Sequence, residues 1–362
     1  MSPAIPARLC KPAEITSVGE LMAESVIDLI VSELRQTAAG HYPEHSELKN
    51  VRVVGHTPKP DHYTYEIVVD FANASERLSA KVYRVNKSGA QTAKNHATTE
   101  FKNLTRVYQV AQAKKLTGIP RPVGDFTSIS SVVAEKFNGV PLQSIIMKAA
   151  LLPGYADHGT LRAAARAAGE WLKKFHKATS DMPVPFDSSS LIGDLEKLCH
   201  RCKGEGLDDS SIDTILAGTR SILARTKKTL PSSAVLNDFT PLNVVIGEKG
   251  IGFCDYGKML ARGPAFHDVA MFMAAVEALE KYPFCNRAIT SEVQDSFMEA
   301  YGATAPEQQV LRVLKMKALL GMFAQGRIVN VKESALRKKV MWATVMKKFI
   351  QQAAERSLSP AA

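Results

Sequence analysis

The chain has 362 residues, of which 45% are hydrophobic and 23% are charged, and its formal net charge is +10 at pH 7. At roughly 150 residues per domain this length predicts two domains or lobes, and the composition is that of a globular protein rather than a disordered or fibrous one. No apolar run approaches the ~20 residues that a membrane-spanning helix needs, and no signal peptide is recognisable, so we predict a cytoplasmic protein.

The chain opens with an arm and a helix. Residues 1–17 contain three prolines and no hydrophobic period, which predicts an extended arm. Residues 18–38 carry apolar side chains at close to helical spacing, and Ser17 is a candidate cap. We assign residues 1–45 to this arm and helix and find no chemical role for them.

Three segments rich in Val, Tyr and Ile follow, Val51–Gly55, Tyr63–Phe71 and Arg77–Val85, with turn residues between them. This pattern predicts a three-stranded antiparallel meander. Lys81 lies inside the third segment among mainly apolar neighbours. A lysine in that position either faces solvent or binds an anion, and the small Ser79 on the same face leaves room for a flat ligand.

The helix predicted over residues 93–115 carries a carboxylate that can pair with Lys81. Glu100 is the only acidic residue between Lys81 and Asp125 in the sequence. Apolar residues continue its face of the helix, namely Leu104, Val107, Tyr108 and Ala111. We therefore expect Glu100 to point inward.

The middle of the chain predicts a strand, a turn and then a mainly helical region. Residues 131–137 form the strand, Asn138 and Gly139 favour a turn, and Pro141 stands at a favoured helix-opening position. Residues 160–179 predict a helix of about 30 Å that supports the helical region. We interpret His176, near the end of that helix, as structural.

Between Asp187 and Asp213 the sequence has seven acidic residues against three Lys or Arg. An acidic surface there suits a cationic ligand, but a solvated helix face gives the same pattern. The five cysteines of the chain predict reduced thiols. Cys199 and Cys202 have metal-like spacing without a second pair nearby, so we interpret them as small apolar helix residues rather than zinc ligands.

Residues 236–257 have the pattern of a catalytic loop with a metal site. Asp238 and Asn243 are five residues apart with Pro241 between them, which predicts a stiff turn that aims both side chains at one point. Two short apolar runs predict a hairpin that brings Asp255 back beside Asn243. An aspartate that deprotonates a hydroxyl, with an amide and a carboxylate that hold Mg²⁺, is what phosphoryl transfer requires of a protein.

Three motifs follow one another in this part of the chain, namely Asp238-x-x-x-x-Asn243, Asp255-Tyr256-Gly257 and Gly263-Pro264-x-x-His267-Asp268-Val269-Ala270. Their ordered series resembles the aminoglycoside phosphotransferase and choline kinase-like family, small-molecule relatives of protein kinases. The resemblance covers residues 50–325 and has one departure, Leu236-Asn237 in place of the family's usual His-Gly.

The resemblance implies an α+β, two-lobe protein kinase-like fold. A small antiparallel-sheet N-lobe would occupy residues 46–137, and a mainly helical C-lobe with the catalytic loop and acceptor site would occupy residues 138–362. ATP and Mg²⁺ are the implied cofactors, bound between the lobes. Residues 55–62 have the position of a phosphate-covering loop, although their single glycine is equally compatible with an ordinary hairpin connection.

The resemblance also gives the candidate site residues their roles. Asp238 is the implied catalytic base, and Asn243 and Asp255 are the implied metal ligands. Lys81, paired with Glu100, is implied to bind the nucleotide phosphates.

Further positions are implied to bind the base of the nucleotide or to support the loop. The backbone from Glu135 to Phe137 would bind the adenine edge, and Asp268 would tie down the catalytic loop through backbone hydrogen bonds. The leading hypothesis is therefore an ATP-dependent kinase that phosphorylates a hydroxyl of a small molecule, of the aminoglycoside, sugar or amino-alcohol type.

Two alternatives stay open at this point. Leu236-Asn237 prompts a pseudokinase-type nucleotide-binding protein. The segment from Arg327 to Arg356 carries eight Lys or Arg against two Glu, which prompts a kinase of a protein or membrane glycolipid that contacts an anionic membrane, or else a solvated helix face. No module with interleaved aromatic and basic residues is present, so we predict no nucleic-acid partner. The acceptor and the oligomeric state stay open.

Overall fold

The computed structural model describes residues 18–85, 89–152, 154, 157–226, 229–248, 250–282, 284–324 and 345–358. The chain divides into two units, one of Met1–Phe101 with Pro122–Lys136 and the other of Lys102–Arg121 with Phe137–Ala362. Within the described ranges, no helix is both long and apolar enough to cross a membrane.

The first unit is built on a four-stranded antiparallel sheet. Its strands, each paired with the next, are β1 (Leu48–Pro58), β2 (His62–Phe71), β3 (Ser75–Tyr83) and β4 (Ser131–Glu135). The predicted meander is confirmed as β1 to β3, and β4 extends it. Residues 55–58 were predicted to belong to a loop but are part of β1, because the pairing with β2 resumes after a register shift between Val53 and Gly55.

Helix α1 (Val18–His41) packs on this sheet. It corresponds to the helix predicted over residues 18–38. Ile30 has no exposed surface and lies in the same core as Ile67 and Val69 of β2. Side chains alternate between the two faces of a strand, so residues two apart on β2 share one face. The role of α1 is therefore to bury a face of the sheet.

Helix α2 (Ala90–Lys114) follows β3 and matches the helix predicted over residues 93–115. Its buried positions recur every three or four residues, as a single helix face requires. They are Ala93, Ala97, Glu100, Leu104, Val107 and Ala111. The expectation that Glu100 points inward is confirmed.

The second unit is mainly helical. Its helices are α3 (Leu142–Leu151), α4 (His158–Ala178), α5 (Ser188–Gly204), α6 (Asp209–Leu223), α7 (Phe266–Glu277), α8 (Arg287–Tyr301), α9 (Ala305–Ala324) and α10 (Lys347–Leu358). The predicted supporting helix is α4, in which Leu161, Ala165, Leu172 and Phe175 have no exposed surface. Asp157, Asp187 and Asp208 cap α4, α5 and α6 by accepting a backbone N–H.

Two small sheets of the second unit hold its loops. One consists of β6 (Asp181–Pro185), β7 (Thr229–Val235) and β10 (Leu260–Pro264), with β7 in the middle, and the other of β5 (Val140–Pro141), β8 (Val244–Gly247) and β9 (Gly250–Phe253), with β8 in the middle. The β8–β9 hairpin is the predicted one. The predicted catalytic loop connects the end of β7 to the start of β8.

Cys199 and Cys202 lie on the buried side of α5. Burial raises the pKa of Cys199 to about 11 and that of Cys202 to about 12, so both stay protonated thiols at neutral pH. Among the described residues, no group of three or more His, Cys, Asp or Glu side chains is placed to hold a metal ion. The burial of both thiols agrees with the interpretation of this pair as apolar helix residues.

Candidate active site

The first unit contains the predicted ion pair between β3 and α2. The Lys81 ammonium lies 2.5 Å from Glu100 Oε1, and the side chains are 15% and 3% exposed. A buried carboxylate loses its hydration, and a close cation with well-placed hydrogen bonds offsets that cost. The pairing that the sequence predicted is present.

Tyr83 is a second donor to the same carboxylate. Its hydroxyl donates to Glu100 Oε2, so each carboxylate oxygen has a donor from β3. Tyr83 follows Lys81 by two residues, which places both on one face of the strand. This spacing was a signal for the contact, although the contact was not among those predicted from the sequence.

The predicted adenine-binding segment begins at the end of β4. Glu135 pairs with Leu78 in the sheet, and the Lys136 N–H donates to Arg77 O at 2.8 Å. In the second unit, the Phe137 ring lies so close to Gly252 of β9 that a Cβ on that glycine would be 2.5 Å from the ring. The assignment of Glu135 and Phe137 to adenine binding stays a prediction.

The predicted catalytic loop of the second unit is anchored by buried residues. Leu236 and Phe239 have no exposed surface, and the Phe239 ring stacks on Trp171 of α4 at 5.8 Å. Pro241 O accepts a hydrogen bond from the Gln143 N–H of α3. Because these apolar and backbone contacts fix the loop, the polar residues between them hold defined positions.

Asp268 ties the loop down from the buried side. Its carboxylate accepts the N–H groups of Leu236 and Asn237, both at 2.8 Å, and it has no exposed surface. Located in the first turn of α7, it also gains from the partial positive charge at the start of that helix. The structural role predicted for Asp268 is confirmed.

His176 completes this buried network. Its Nε2 lies 3.1 Å from Asp268 Oδ2, and its Nδ1 lies 3.1 Å from the hydroxyl of Tyr301. Burial, with a contribution from the Asp268 charge, raises the pKa of Tyr301, so its hydroxyl keeps its proton. His176 was predicted to be structural, but its two partners were not predicted, since they lie 92 and 125 positions away in the chain.

The departure at Leu236-Asn237 has a physical explanation. Asn237 has a positive φ of 59°, a left-handed conformation that glycine adopts freely and that asparagine tolerates better than most residues. Its side chain donates to Lys258 O at 3.0 Å. Asparagine is therefore compatible with the backbone conformation of the loop and donates a hydrogen bond to the turn after β9.

Asp238 lies on the exposed side of the loop. Its side chain is 21% exposed, and its Oδ2 pairs with the ammonium of Lys258, which is 45% exposed. Lys258 was not predicted as a site residue, although it comes directly after the Asp255-Tyr256-Gly257 motif. A solvent-accessible carboxylate whose partner is itself exposed can exchange that partner for a hydroxyl.

Asn243 directly precedes β8 and Asp255 lies two residues after β9, both at the end of the hairpin where Val244 pairs with Phe253. Asn243 Nδ2 donates to Asp238 O at 3.0 Å, which leaves its Oδ1 out of that bond, and Asp255 Oδ1 accepts the Gly257 N–H at 3.2 Å. Mg²⁺ bound to a nucleotide takes one or two protein oxygens beside phosphate and water oxygens. An amide and a carboxylate fit that requirement.

The predicted acidic segment forms ion pairs with other parts of the second unit. Asp194 lies 2.7 Å from Lys317 of α9, and Asp208 lies 2.7 Å from Lys347 of α10. Glu196 pairs with Arg220. Much of the basic segment, residues 327–344, lies outside the described residues. Where both segments are described, they neutralise charge within the unit, so neither one indicates the charge of a substrate.

Neither a protein-family model nor a curated protein matches the sequence. The structure does match solved structures. An amicoumacin kinase in complex with AMP-PNP, Ca²⁺ and Ami matches with a TM-score of 0.51 at 11% identity, over 90% of this chain and 95% of that chain. The chain has a kinase-like fold. It belongs to the α+β class that the sequence predicted, with an antiparallel sheet in the first unit and mainly helices in the second.

Two further solved structures are similar at a lower score. A choline kinase from Cryptosporidium parvum Iowa II has a TM-score of 0.49 and 14% identity, over 91% of this chain and 97% of that chain. A thermostable mutant of an aminoglycoside phosphotransferase in its apo form has a TM-score of 0.48 and 15% identity, over 91% of this chain and 99% of that chain.

Proposed function

We propose that this protein is an ATP-dependent phosphotransferase that phosphorylates a hydroxyl of a small molecule, of the aminoglycoside, sugar or amino-alcohol type. The observation that carries the proposal is the catalytic loop, in which Asp268 fixes the backbone from the buried side while Asp238 stays accessible. The kinase-like fold shared with an amicoumacin kinase bound to AMP-PNP and Ca²⁺ supports it.

In the proposed reaction, Asp238 accepts the proton of the acceptor hydroxyl. The hydroxyl oxygen forms a bond to the γ-phosphorus, and the bond from that phosphorus to the oxygen that bridges it to the β-phosphorus breaks, which releases ADP. This chemistry depends mainly on positioning and on stabilisation of phosphate charge. The buried anchors of the loop provide the positioning of Asp238.

The remaining predicted residues would bind the nucleotide. Lys81, oriented by Glu100, would bind its phosphates, and Mg²⁺ held by Asn243 and Asp255 would neutralise part of their charge. The backbone of residues 135–137 would bind the adenine edge. A carboxylate and an amide are the donor types that this cation prefers in proteins.

The decisive experiment is a screen for Mg²⁺-dependent ADP release with hydroxyl-bearing metabolites, glycans and aminoglycosides, followed by the Asp238→Asn variant. Removal of a general base typically lowers turnover by ~10²- to 10⁴-fold. We expect a loss of that size with nucleotide binding intact. Asp209→Asn is the control, because Asp209 is an exposed aspartate that also pairs with a lysine, Lys203, in the same unit. Unchanged turnover in Asp238→Asn would remove Asp238 from the mechanism.

The pseudokinase alternative has less support than the sequence alone gave it. Leu236 is accommodated as a buried anchor, and Asn237 holds the left-handed position at the loop entrance. In the described part of the basic segment, Lys347 and Arg356 of α10 pair with Asp208 and Glu277, which takes two of its cations away from the membrane alternative. Absence of turnover with every acceptor, together with retained nucleotide binding, would favour the pseudokinase.

A further inference from the structure

Lys258 forms an ion pair with the proposed catalytic base, and the proposed reaction gives it no role. Its ammonium pairs with Asp238 Oδ2, and 45% of its side chain is exposed. It lies three residues after Asp255, a proposed ligand of the cation that accompanies the phosphates.

The backbone of Lys258 is fixed, although its side chain is exposed. Lys258 O accepts from Asn237 Nδ2 at 3.0 Å. On either side of Lys258, Tyr256 O and Met259 O accept from Asn103 Nδ2 at 2.9 and 3.0 Å. These hydrogen bonds fix the Cα of Lys258 beside the loop. The position of its ammonium group can then change only by rotation of the side chain.

The pair with Asp238 conflicts with the proposed reaction. An acceptor hydroxyl must come within ~2.6–3.2 Å of a carboxylate oxygen of the base, and its oxygen must lie ~3–3.5 Å from the phosphorus that it attacks. The Lys258 ammonium occupies one of the two carboxylate oxygens of Asp238. It therefore competes with the acceptor hydroxyl for the base. In the proposed reaction the γ-phosphate would be one hydroxyl group away from Asp238, and so would come near Lys258.

Lys258 can leave Asp238 at little cost. Water screens an ion pair whose partners are 45% and 21% exposed, so the pair contributes little to stability. A terminal phosphate carries more negative charge than one carboxylate and offers three acceptor oxygens, so it competes well for an ammonium.

We propose that Lys258 is a further phosphate-binding residue, which pairs with Asp238 in the absence of ATP and moves to the γ-phosphate when ATP binds. The move would expose Asp238 to the acceptor hydroxyl only when a phosphoryl donor is present. The inference rests on the proposed function, because it requires a nucleotide triphosphate at this loop.

The test compares two nucleotides that differ at the γ-phosphate. Binding of AMP-PNP and of ADP, each with Mg²⁺, is measured by titration calorimetry for the wild type, Lys258→Ala, Lys258→Arg and the control Lys203→Ala. Lys203, as exposed as Lys258, also pairs with an aspartate, Asp209, on the α5–α6 side of the same unit. Because a charge-assisted hydrogen bond is lost, we expect Lys258→Ala to weaken AMP-PNP binding about tenfold or more and ADP binding less than about twofold.

Lys258→Arg keeps a positive charge and should retain most of the preference for AMP-PNP, and Lys203→Ala should match the wild type. An unchanged ratio of AMP-PNP to ADP affinity in Lys258→Ala overturns the inference, whether both affinities fall together or neither changes. That result leaves the proposed function intact, because the wild type still binds both nucleotides. A wild type that binds neither nucleotide would instead end the proposed function, and this inference with it.

Discussion

The two sides of the proposed catalytic loop use the same residue type in opposite ways. On the buried side, Asp268 has no exposed surface and accepts two backbone N–H groups, with His176 against it. On the exposed side, Asp238 is paired with Lys258, a side chain that is itself 45% exposed. Solvent access and the number of buried donors therefore separate an aspartate that shapes the loop from one that stays accessible for the proposed role in catalysis.

The same contrast separates carboxylates elsewhere in the chain. Glu100 in the first unit is buried and receives donors from Lys81 and Tyr83. Asp208 in the second unit is partly exposed and pairs with Lys347 across a surface contact. Changes at buried carboxylates should therefore cost stability, and changes at exposed ones should mainly alter function or local contacts.

The largest effect is expected for Asp268→Ala. It leaves the N–H groups of Leu236 and Asn237 without their buried acceptor, and loss of one partner of a buried charged network costs about 3–5 kcal/mol. Urea unfolding followed by circular dichroism measures this loss. Asp268→Asn keeps one carbonyl acceptor and should lose less. A loss below about 1 kcal/mol in Asp268→Ala would mean that the loop is held by its apolar anchors alone.

The next largest effect is expected for Tyr83→Phe. The variant keeps the ring and removes one donor to the buried Glu100, which should lower the free energy of unfolding by about 1–3 kcal/mol. Tyr63→Phe is the matched control, a buried tyrosine of β2 without a contact to Glu100 in the described structure. Equal losses in the two variants would show that the hydroxyl of Tyr83 has no special relation to the ion pair. Both are measured by urea unfolding.

A smaller effect is expected at Asn237, where a pair of variants separates backbone strain from a side-chain contact. Asn237→Gly and Asn237→Ala both remove the hydrogen bond to Lys258 O, but only alanine adds a Cβ to a residue with φ of 59°. A left-handed conformation costs a residue with a Cβ roughly 1–2 kcal/mol. Asn237→Ala should therefore be less stable than Asn237→Gly by about that amount. Equal stability would mean that the loop changes its conformation to relieve the strain.

The smallest effect is expected for Asp208, and it depends on pH. Hydrogen bonds from Lys347, and then from Ser211, hold the pKa of Asp208 well below its ordinary value. A carboxyl whose pKa is lowered in the folded state contributes stability above its unfolded pKa, about 3.9, and loses it as the pH falls below that value. Asp208→Asn should lower the melting temperature slightly at pH 7, and the difference from the wild type should shrink toward pH 3. A difference that stays constant over this range would exclude the charge of Asp208 as its cause.

The sequence predicted those parts of the fold that follow from local pattern. Hydrophobic period and turn residues gave the meander, helices α1, α2 and α4, and the β8–β9 hairpin. The pair of Lys81 and Glu100 was also predictable, because no other acidic residue lies nearby in the chain. Asp268 was assigned its supporting role through a family resemblance, and the structure supplied the two hydrogen bonds.

The contacts that were missed join residues far apart in the chain or need a backbone conformation to be known. The partners of His176 and the pairing of the acidic segment with α9 and α10 span more than 90 residues, and spacing rules do not reach that far. The left-handed position of Asn237 had a weak signal, since asparagine is among the few residues that tolerate it. Lys258 directly follows the Asp255-Tyr256-Gly257 motif, but no sequence pattern indicated that it pairs with Asp238.

Helix α1 has a practical consequence for anyone who shortens the protein. Ile30, Leu34 and Ala38 form one wall of the core whose other wall includes Ile67 and Val69. A recombinant fragment that started at β1 would expose these aliphatic strand side chains to solvent, and an exposed apolar sheet face promotes aggregation. Trimming for expression or crystallisation should therefore stop before the first turn of that helix.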